Sequence, residues 1–186
     1  SDIEGSVASR LLLKVVRSEP YGWLRARAID ELGERRFPEA LFALKDALYS
    51  KDDDVGESAA HALGQFEDEG RQALQAALVS ENHAFRMRAA KVLTLGGNDH
   101  AVRVLREVAN GSHAGTDQLV AIQTLVRGGD SDALSRLVEM MGSEDVRVRL
   151  QARTALAGVS RYAPPLLIDS LGSVNPHIRA GAAHLM

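Results

Sequence analysis

The chain of 186 residues contains no cysteine. That absence removes disulfides, thiolate catalysis and cysteine metal sites together. Aromatic residues make up only 4% of the sequence, with one tryptophan, which fits helices packed closely through Ala and Leu. No run of roughly eighteen apolar residues occurs and no signal peptide is recognisable, so the expectation is a cytoplasmic protein with no membrane insertion. The formal net charge of −3 gives no general attraction to nucleic acid or to an anionic membrane. There is no Gly-rich phosphate loop, and no strand-turn-helix elbow surrounds a serine. Asp52, Asp53 and Asp54 lack the alternating spacing and the glycine of a calcium loop; they read instead as acidic groups at the positive end of a helix dipole.

What is present is a repeat. The stretch SEDVRVRLQARTAL, residues 143 to 156, contains a small residue, Ala152, and equivalents fall at Ala28, Ala59, Ala89, Ala121 and Ala182 with spacings of 31, 30, 32, 31 and 30 residues. A period that regular is an array. Four residues after each of these anchors come Leu32, Leu63, Leu93, Leu125, Leu156 and Met186; four before lie Leu24, Val55, Phe85, Asp117, Val148 and Ile178. Residues four apart share a helix face. Seven before the anchor stand Tyr21, Asp52, Asn82, Ala114, Asp145 and Asn175, four of them suited to accept the free amides of a helix N-terminus. Serine precedes that position by two at Ser50, Ser80, Ser112, Ser143 and Ser173, which puts a turn before the helix. The fourth copy is the weak one, with Asp117 and Ala114 in place of the apolar and capping residues.

A second apolar set alternates with the first: Pro38 to Tyr49, Arg71 to Val79, Ala101 to Ala109, Ala133 to Met141 and Pro164 to Leu171. Pro38 and Pro164 suit a first helical turn, where a missing amide costs nothing. Gly33, Gly64, Gly96 and Gly158 follow the preceding helices, where a left-handed exit is expected. Residues 3 to 18 read as an opening helix that directs Leu11, Leu12, Val15 and Val16 onto the first repeat. Each unit is thus helix, short turn, helix. Neither helix can bury its apolar face alone, so the fold expected is an all-α solenoid, an α/α superhelix of about six stacked helical hairpins, over residues 1 to 186 as a single domain. The chain starts at Ser1 and stops at Met186 without an evident cap at its end, which predicts a fragment of a longer protein.

The segments VRLQARTAL (148 to 156), FRMRAAKVL (85 to 93), LRARAIDEL (24 to 32) and IRAGAAHLM (178 to 186) resemble the HEAT repeats of the short kind, about thirty residues long, also called phycobilisome-lyase-like. The resemblance covers nearly the whole chain. Armadillo repeats would need a longer period and a third helix, and tetratricopeptide repeats their Trp, Gly and Tyr positions. The resemblance implies a fold and leaves function open, since the family includes scaffolds, lyase subunits, metal enzymes and nucleic-acid enzymes.

Several side chains invite chemistry and favour a plainer role. Arginine recurs three before the anchor at Arg25, Arg86, Arg149 and Arg179, with Gly56 and Gln118 as exceptions. Its stem can cover apolar surface and its head can reach acidic or carbonyl groups of a neighbouring turn, a ladder between repeats. A phosphate-binding strip would be broken by Glu57 and Asp117. The six histidines, at 61, 83, 100, 113, 177 and 184, read as surface or turn residues; the HEAT-repeat hydroxylases use His-Glu pairs, and this sequence has none. Trp23 is expected to pack at an atypical terminal repeat.

The positions flanking the anchor lie about 160° from the core direction on the second helix of each unit, the helix that in HEAT-like stacks lines the concave side. Two before the anchor, Met87, Leu119 and Leu150 fall on consecutive rungs, and Val120 joins them. They form an expected apolar stripe, edged by Arg88, Lys91, Gln123 and Gln151, that would receive a peptide or helix. The function expected is a non-enzymatic, cofactor-free scaffold that binds another protein, or another domain of its parent chain, on the concave face. Two alternatives remain: a subunit resembling the bilin lyases, handling a chromophore and its carrier protein, and a nucleic-acid module resembling the HEAT-like alkylpurine glycosylases. The second would need a basic face and a catalytic acid beside an aromatic.

Overall fold

The computed structural model describes residues 2–111, 116–159 and 164–186, and every regular element among them is helical. Twelve α-helices follow one another: α1 (Asp2–Ser18), α2 (Gly22–Glu34), α3 (Leu41–Ala47, entered through a 3-10 turn at Pro38–Ala40), α4 (Asp53–Gly64), α5 (Asp68–Leu78), α6 (His83–Leu95), α7 (Asp99–Asn110), α8 (Thr116–Arg127), α9 (Ser131–Met141), α10 (Val146–Ala157), α11 (Pro164–Ser170) and α12 (Pro176–Leu185). The helical pairs expected from the repeat are present. None of the described helices is long and apolar enough to cross a membrane. Ser112, His113, Ala114 and Gly115, where the sequence places its weak fourth cap, lie outside the described residues.

Contacts gather the chain into two units, residues 1–93 and 94–186. In the first, α2 packs on α1 and α4, and α4 also on α3 and α5; in the second, α8 packs on α7, α9 and α10, and α10 on α9 and α12. Within each unit second helices therefore lie directly against each other, α2 on α4 in the first and α10 on α8 and α12 in the second, as stacked hairpins require. The seam is made by the anchors. Ala59, Ala89, Ala121, Ala152 and Ala182 are fully buried and Ala28 nearly so, because a side chain of one carbon lets two helix backbones approach. The closing Leu32, Leu63, Leu93, Leu125 and Leu156 are buried beside them, each worth about 1.5–3 kcal/mol of burial.

The turn before each second helix is a hydrogen-bonded unit. The serine hydroxyl oxygen accepts the amide of the capping residue at 3.1–3.2 Å in four repeats, Ser50 from Asp52, Ser80 from Asn82, Ser143 from Asp145 and Ser173 from Asn175. The cap side chain then accepts a first-turn amide: Asp52 from Val55, Asn82 from Ala84, Asp145 from Arg147 and Asn175 from His177. The arginine four residues after the cap completes the unit, and here the expected ladder needs correction. Arg86 donates to the carbonyls of Ser80 (2.6 Å) and Glu81 (2.8 Å), Arg149 to Ser143 and Glu144, and Arg179 to Ser173 and Val174. In these three repeats it folds back on its own turn and does not reach the next repeat, because both carbonyls point into the reach of a side chain one helical turn on.

The exceptions follow the same requirement. Gln118 donates to the carbonyls of Ala109 and Gly111 at 2.9 and 3.0 Å, a shorter side chain in the arginine's place. At Gly56 the cation comes from the next repeat: Arg88 of α6, 2% exposed, donates to the carbonyls of Leu48 (3.0 Å) and Ser50 (2.9 Å) and pairs with Asp53 at 2.6 Å. Gly56 is what admits it, since a Cβ there would stand 2.1 Å from the Arg88 Nη1. Arg88 also lies over the Phe85 ring, 5.4 Å from its centroid, and Tyr49 meets Phe85 edge-on.

Three smaller expectations are revised. The left-handed residues are Arg36, Gly97 and Gly129, not Gly33, Gly64, Gly96 or Gly158. Gly33 and Gly64 are instead close-approach positions, where a Cβ would come within 2.6 Å of Ala62 Cβ and of Val92 Cγ1. On α1 the buried face is Ser9, Leu13 and Val16, with Leu12 and Val15 half-buried; of the expected stripe Leu11 alone is exposed. Trp23 is 66% exposed and does not pack into the terminal repeat, since the first turn of α2 projects it away from α1.

Arg88→Ala strands the Leu48 and Ser50 carbonyls and should cost about 2–4 kcal/mol. Gly56→Ala alone should cost about 1–3 kcal/mol by collision with the guanidinium. In the Arg88→Ala background the same change should become neutral or stabilising by up to about 1 kcal/mol, because alanine is the better helix former. Urea unfolding of the four proteins measures the reversal.

Candidate protein-binding surface

The eight residues singled out from the sequence do not share one environment. Met87 is 6% and Arg88 2% exposed, so neither can face a partner; Arg88 is committed to the turn described above, and Met87 fills the core beneath the α6 anchor. The repeat period gives the direction of these side chains, whereas how far the adjoining helix overlaps that flank is a matter of packing. Lys91 is half-buried and ion-paired with Glu57 across α6 and α4. Gln123 donates to the carbonyl of Ala155 at 3.0 Å, meeting one of the α10 carbonyls that has no partner within its own helix. It latches α8 to α10.

Leu119, Val120 and Gln151 are half-buried, and Leu150 is 56% exposed. Leu119 and Val120 on α8 and Leu150 and Gln151 on α10 belong to the second unit, where those two helices are in contact. Val146, one turn before Leu150, is also exposed at 64%. This flank of α10 holds two shallow grooves of about 430 and 480 Å³, both lined by Leu150 and Arg153. Sequence reasoning missed Arg153 and Val146. The signal was available: Arg153 follows its anchor by one, where no other repeat carries an arginine.

Two other concavities differ in character. Between α7 and α9 a groove of about 440 Å³ is lined by Arg106, Asp130, Arg136 and Glu139 among others, but much of its charge is paired internally. Asp130 accepts from Arg106 Nε at 2.8 Å and from the amide of Ala133 at 2.9 Å, capping α9, and Arg136 bonds Asn110. Burial pushes the Asp130 carboxyl up, yet the Ala133 amide, the Arg106 hydrogen bond and its positive charge, with the Asp132 amide, outweigh it and hold the group below the usual carboxylate range. Between α1 and α2 an apolar groove of about 550 Å³ is lined by Leu11, Leu12, Val15 and Leu24, its rim closed by the Glu31–Arg35 ion pair at 2.7 Å.

Among the described residues no three His, Asp or Glu side chains come together in an arrangement able to hold a metal ion. His61, His83, His100, His177 and His184 are all exposed; His113 lies outside the described residues. Asp52 caps α4 and Asp53 pairs with Arg88, so the acidic triplet serves the helix start.

Buried small anchors, second helices stacked on each other and a capped turn every thirty residues agree with a comparison against protein families, in which residues 9–93 match the HEAT repeats. The Ser-x-Asp/Asn turn and the buried alanine recur in the second unit, at Ser143–Asp145 with Ala152 and at Ser173–Asn175 with Ala182. A search of curated proteins finds no match. Similar solved structures include the complex of CpcE and CpcF of phycocyanin lyase from Nostoc sp. PCC7120 (21% identity, 94% of this chain and 74% of that one, TM-score 0.48). An engineered protein is similar at 19% identity, 94% coverage of each chain and TM-score 0.38. A designed armadillo repeat protein in complex with the peptide (KR)4 is similar at 16% identity, with 94% and 96% covered and TM-score 0.39. At these scores no activity, ligand or partner of theirs carries over to this chain.

Two outcomes follow from the placement of these residues. Met87→Asp buries a charge without a partner and should cost more than about 3 kcal/mol, while Leu150→Asp, on the surface, should change stability by less than about 0.5 kcal/mol; thermal melting followed by circular dichroism separates them. For Asp130, a carboxyl held low in the folded state contributes stability above its unfolded pKa and loses it as pH falls through the folded value. Asp130→Asn keeps the cap and drops the pairing with half-exposed Arg106, at a cost of about 0.5–1 kcal/mol at neutral pH. The wild-type and variant melting temperatures should converge below about pH 4.

Proposed function

We propose that this HEAT-repeat chain is a non-enzymatic scaffold that binds another protein, or another domain of its parent chain, on the outward flank of its second helices. The observation that carries it is Leu150, 56% exposed on α10, with the half-buried Leu119 and Val120 beside it on α8 of the same unit. A solvated helix flank would be polar; aliphatic side chains on adjoining helices give a partner area to cover, and Gln151 gives it register. The helices beneath are held by buried alanines and by turns whose hydrogen bonds are met locally. The surface is therefore set before a partner arrives, which lowers the entropic cost of association. In the first unit the Lys91–Glu57 pair is the polar contact of the corresponding flank. The scaffold is taken to work as one module in the cytoplasm.

A photoreactive phenylalanine at position 150 should give protein adducts in lysate, and the same group at position 42, on the first-helix side where Phe42 is 79% exposed, should give none. Adducts at 42 with none at 150 would move the binding surface to the first helices and refute the proposal.

A further inference from the structure

The end of the sequence that carries Leu150 is locally basic. From Val146 to the last residue the sequence contains five arginines, at 147, 149, 153, 161 and 179, against a single carboxylate, Asp169. The chain as a whole is acidic, at −3, so the basic excess is local to this stretch of sequence, and among the described residues it comes from Arg147, Arg149, Arg153 and Arg179. The two grooves beside α10 lie within it. Leu150 and Arg153 line both; Leu185 and His184 close one, Val146 and His177 the other, between α10 and α12. No carboxylate is among the described residues that line either groove.

Arg153 differs from the other arginines nearby. Arg149 and Arg179 spend their guanidinium groups on turn carbonyls, and Arg147 is paired with Asp145 on the surface. Arg153 has no hydrogen-bond or ion-pair partner among the described residues, and its Nε is buried and unsatisfied. A buried donor without a partner is costly, and a guanidinium without one is the side chain best shaped to take a carboxylate through two parallel bonds. The donor stands beside an exposed leucine, so a single ligand could meet both.

From this geometry we infer that the α10–α12 trough, with Leu150 at its centre and Arg153 as its unpaired cation, is a docking site for an acidic amphipathic segment of a partner protein. Charge complementarity chooses the occupant: a basic helix would meet only like charge, and a purely acidic chain would leave Leu150, Val146 and Leu185 uncovered. An amphipathic helix laid in the trough places aliphatic side chains on Leu150 and Leu185 and, one turn away, a glutamate or aspartate on Arg153. This inference rests on the protein-binding function proposed above and names the chemistry of the partner.

The test uses the whole chain and a fluorescein-labelled sixteen-residue peptide with leucine at helical i, i+3 and i+4 spacing and glutamate elsewhere, read by fluorescence anisotropy. The peptide should bind. Arg153→Met, which keeps the stem and drops the charge, should weaken binding about tenfold, as should Leu150→Asp, while Arg147→Met, the same change outside both grooves, should alter it less than about threefold. Circular dichroism melting establishes that each variant is folded, and only folded variants are compared. Peptides with lysine for glutamate, or with serine for leucine, should bind at least tenfold more weakly. No binding of the acidic peptide, equal binding of either control peptide, tighter binding of a single-stranded oligonucleotide, or equal losses at Arg147 and Arg153 would each overturn the inference. The crosslink at position 150 separates the two levels: adducts to a segment without acidic residues sink the inference and leave the scaffold function standing, and adducts at 42 alone sink both.

Discussion

A helix that restarts every thirty residues must find partners for the amides and carbonyls its breaks expose, and the structure depends on how this is done. Serine takes the amide of the cap, the cap takes an amide of the first turn, and a guanidinium four residues on takes the two carbonyls before the cap. Because these groups are satisfied within about seven residues, each such turn is bonded largely within itself. The buried alanine one turn further on then lets second helices touch. Capping of this kind contributes about 1 kcal/mol per helix, but its larger effect is to fix direction, which a stack of hairpins needs more than depth of core.

The requirement is general while its solution is not. Where the second repeat has Gly56 in place of the arginine, Arg88 enters from the following helix and supplies the missing cation, so a local bond becomes one between repeats. In the fourth repeat Gln118 does the same task with two neutral bonds. The turn carbonyls act as a fixed demand, and the chain meets it with whichever donor can reach. Gly56 is then defined by Arg88 as much as by its own helix, and the pair is a coupling that a periodic alignment reads only as a gap.

Once the turns have taken their arginines, what remains uncommitted is informative. Arg86, Arg88, Arg149 and Arg179 are spent on carbonyls, Arg25 lies 3.6 Å from Asp52, and Arg106 on Asp130. Arg153 is left beside the exposed Leu150 of α10. Arg153, whose buried Nε has no hydrogen-bond partner, stands where a ligand could meet it.

Much of the fold was legible because it is periodic. The alanine anchors, the closing leucines, the serine turns and the Asp or Asn caps repeat at about thirty residues, and helix geometry converts that period into hairpins without knowledge of contacts. The candidate surface was legible only in part. Leu150, Leu119 and Val120 were found from their angle on the helix, but Met87, at the equivalent angle, is buried, and Arg88 turned inward. Leu11 and Trp23, expected to pack, point outward. Sequence period determined the type, order and facing of the helices, since these follow from local backbone geometry. Which side chains stay in water and which cation is left unpaired was decided only by the tertiary structure, because burial and pairing depend on how far one helix overlaps another across tens of residues of chain.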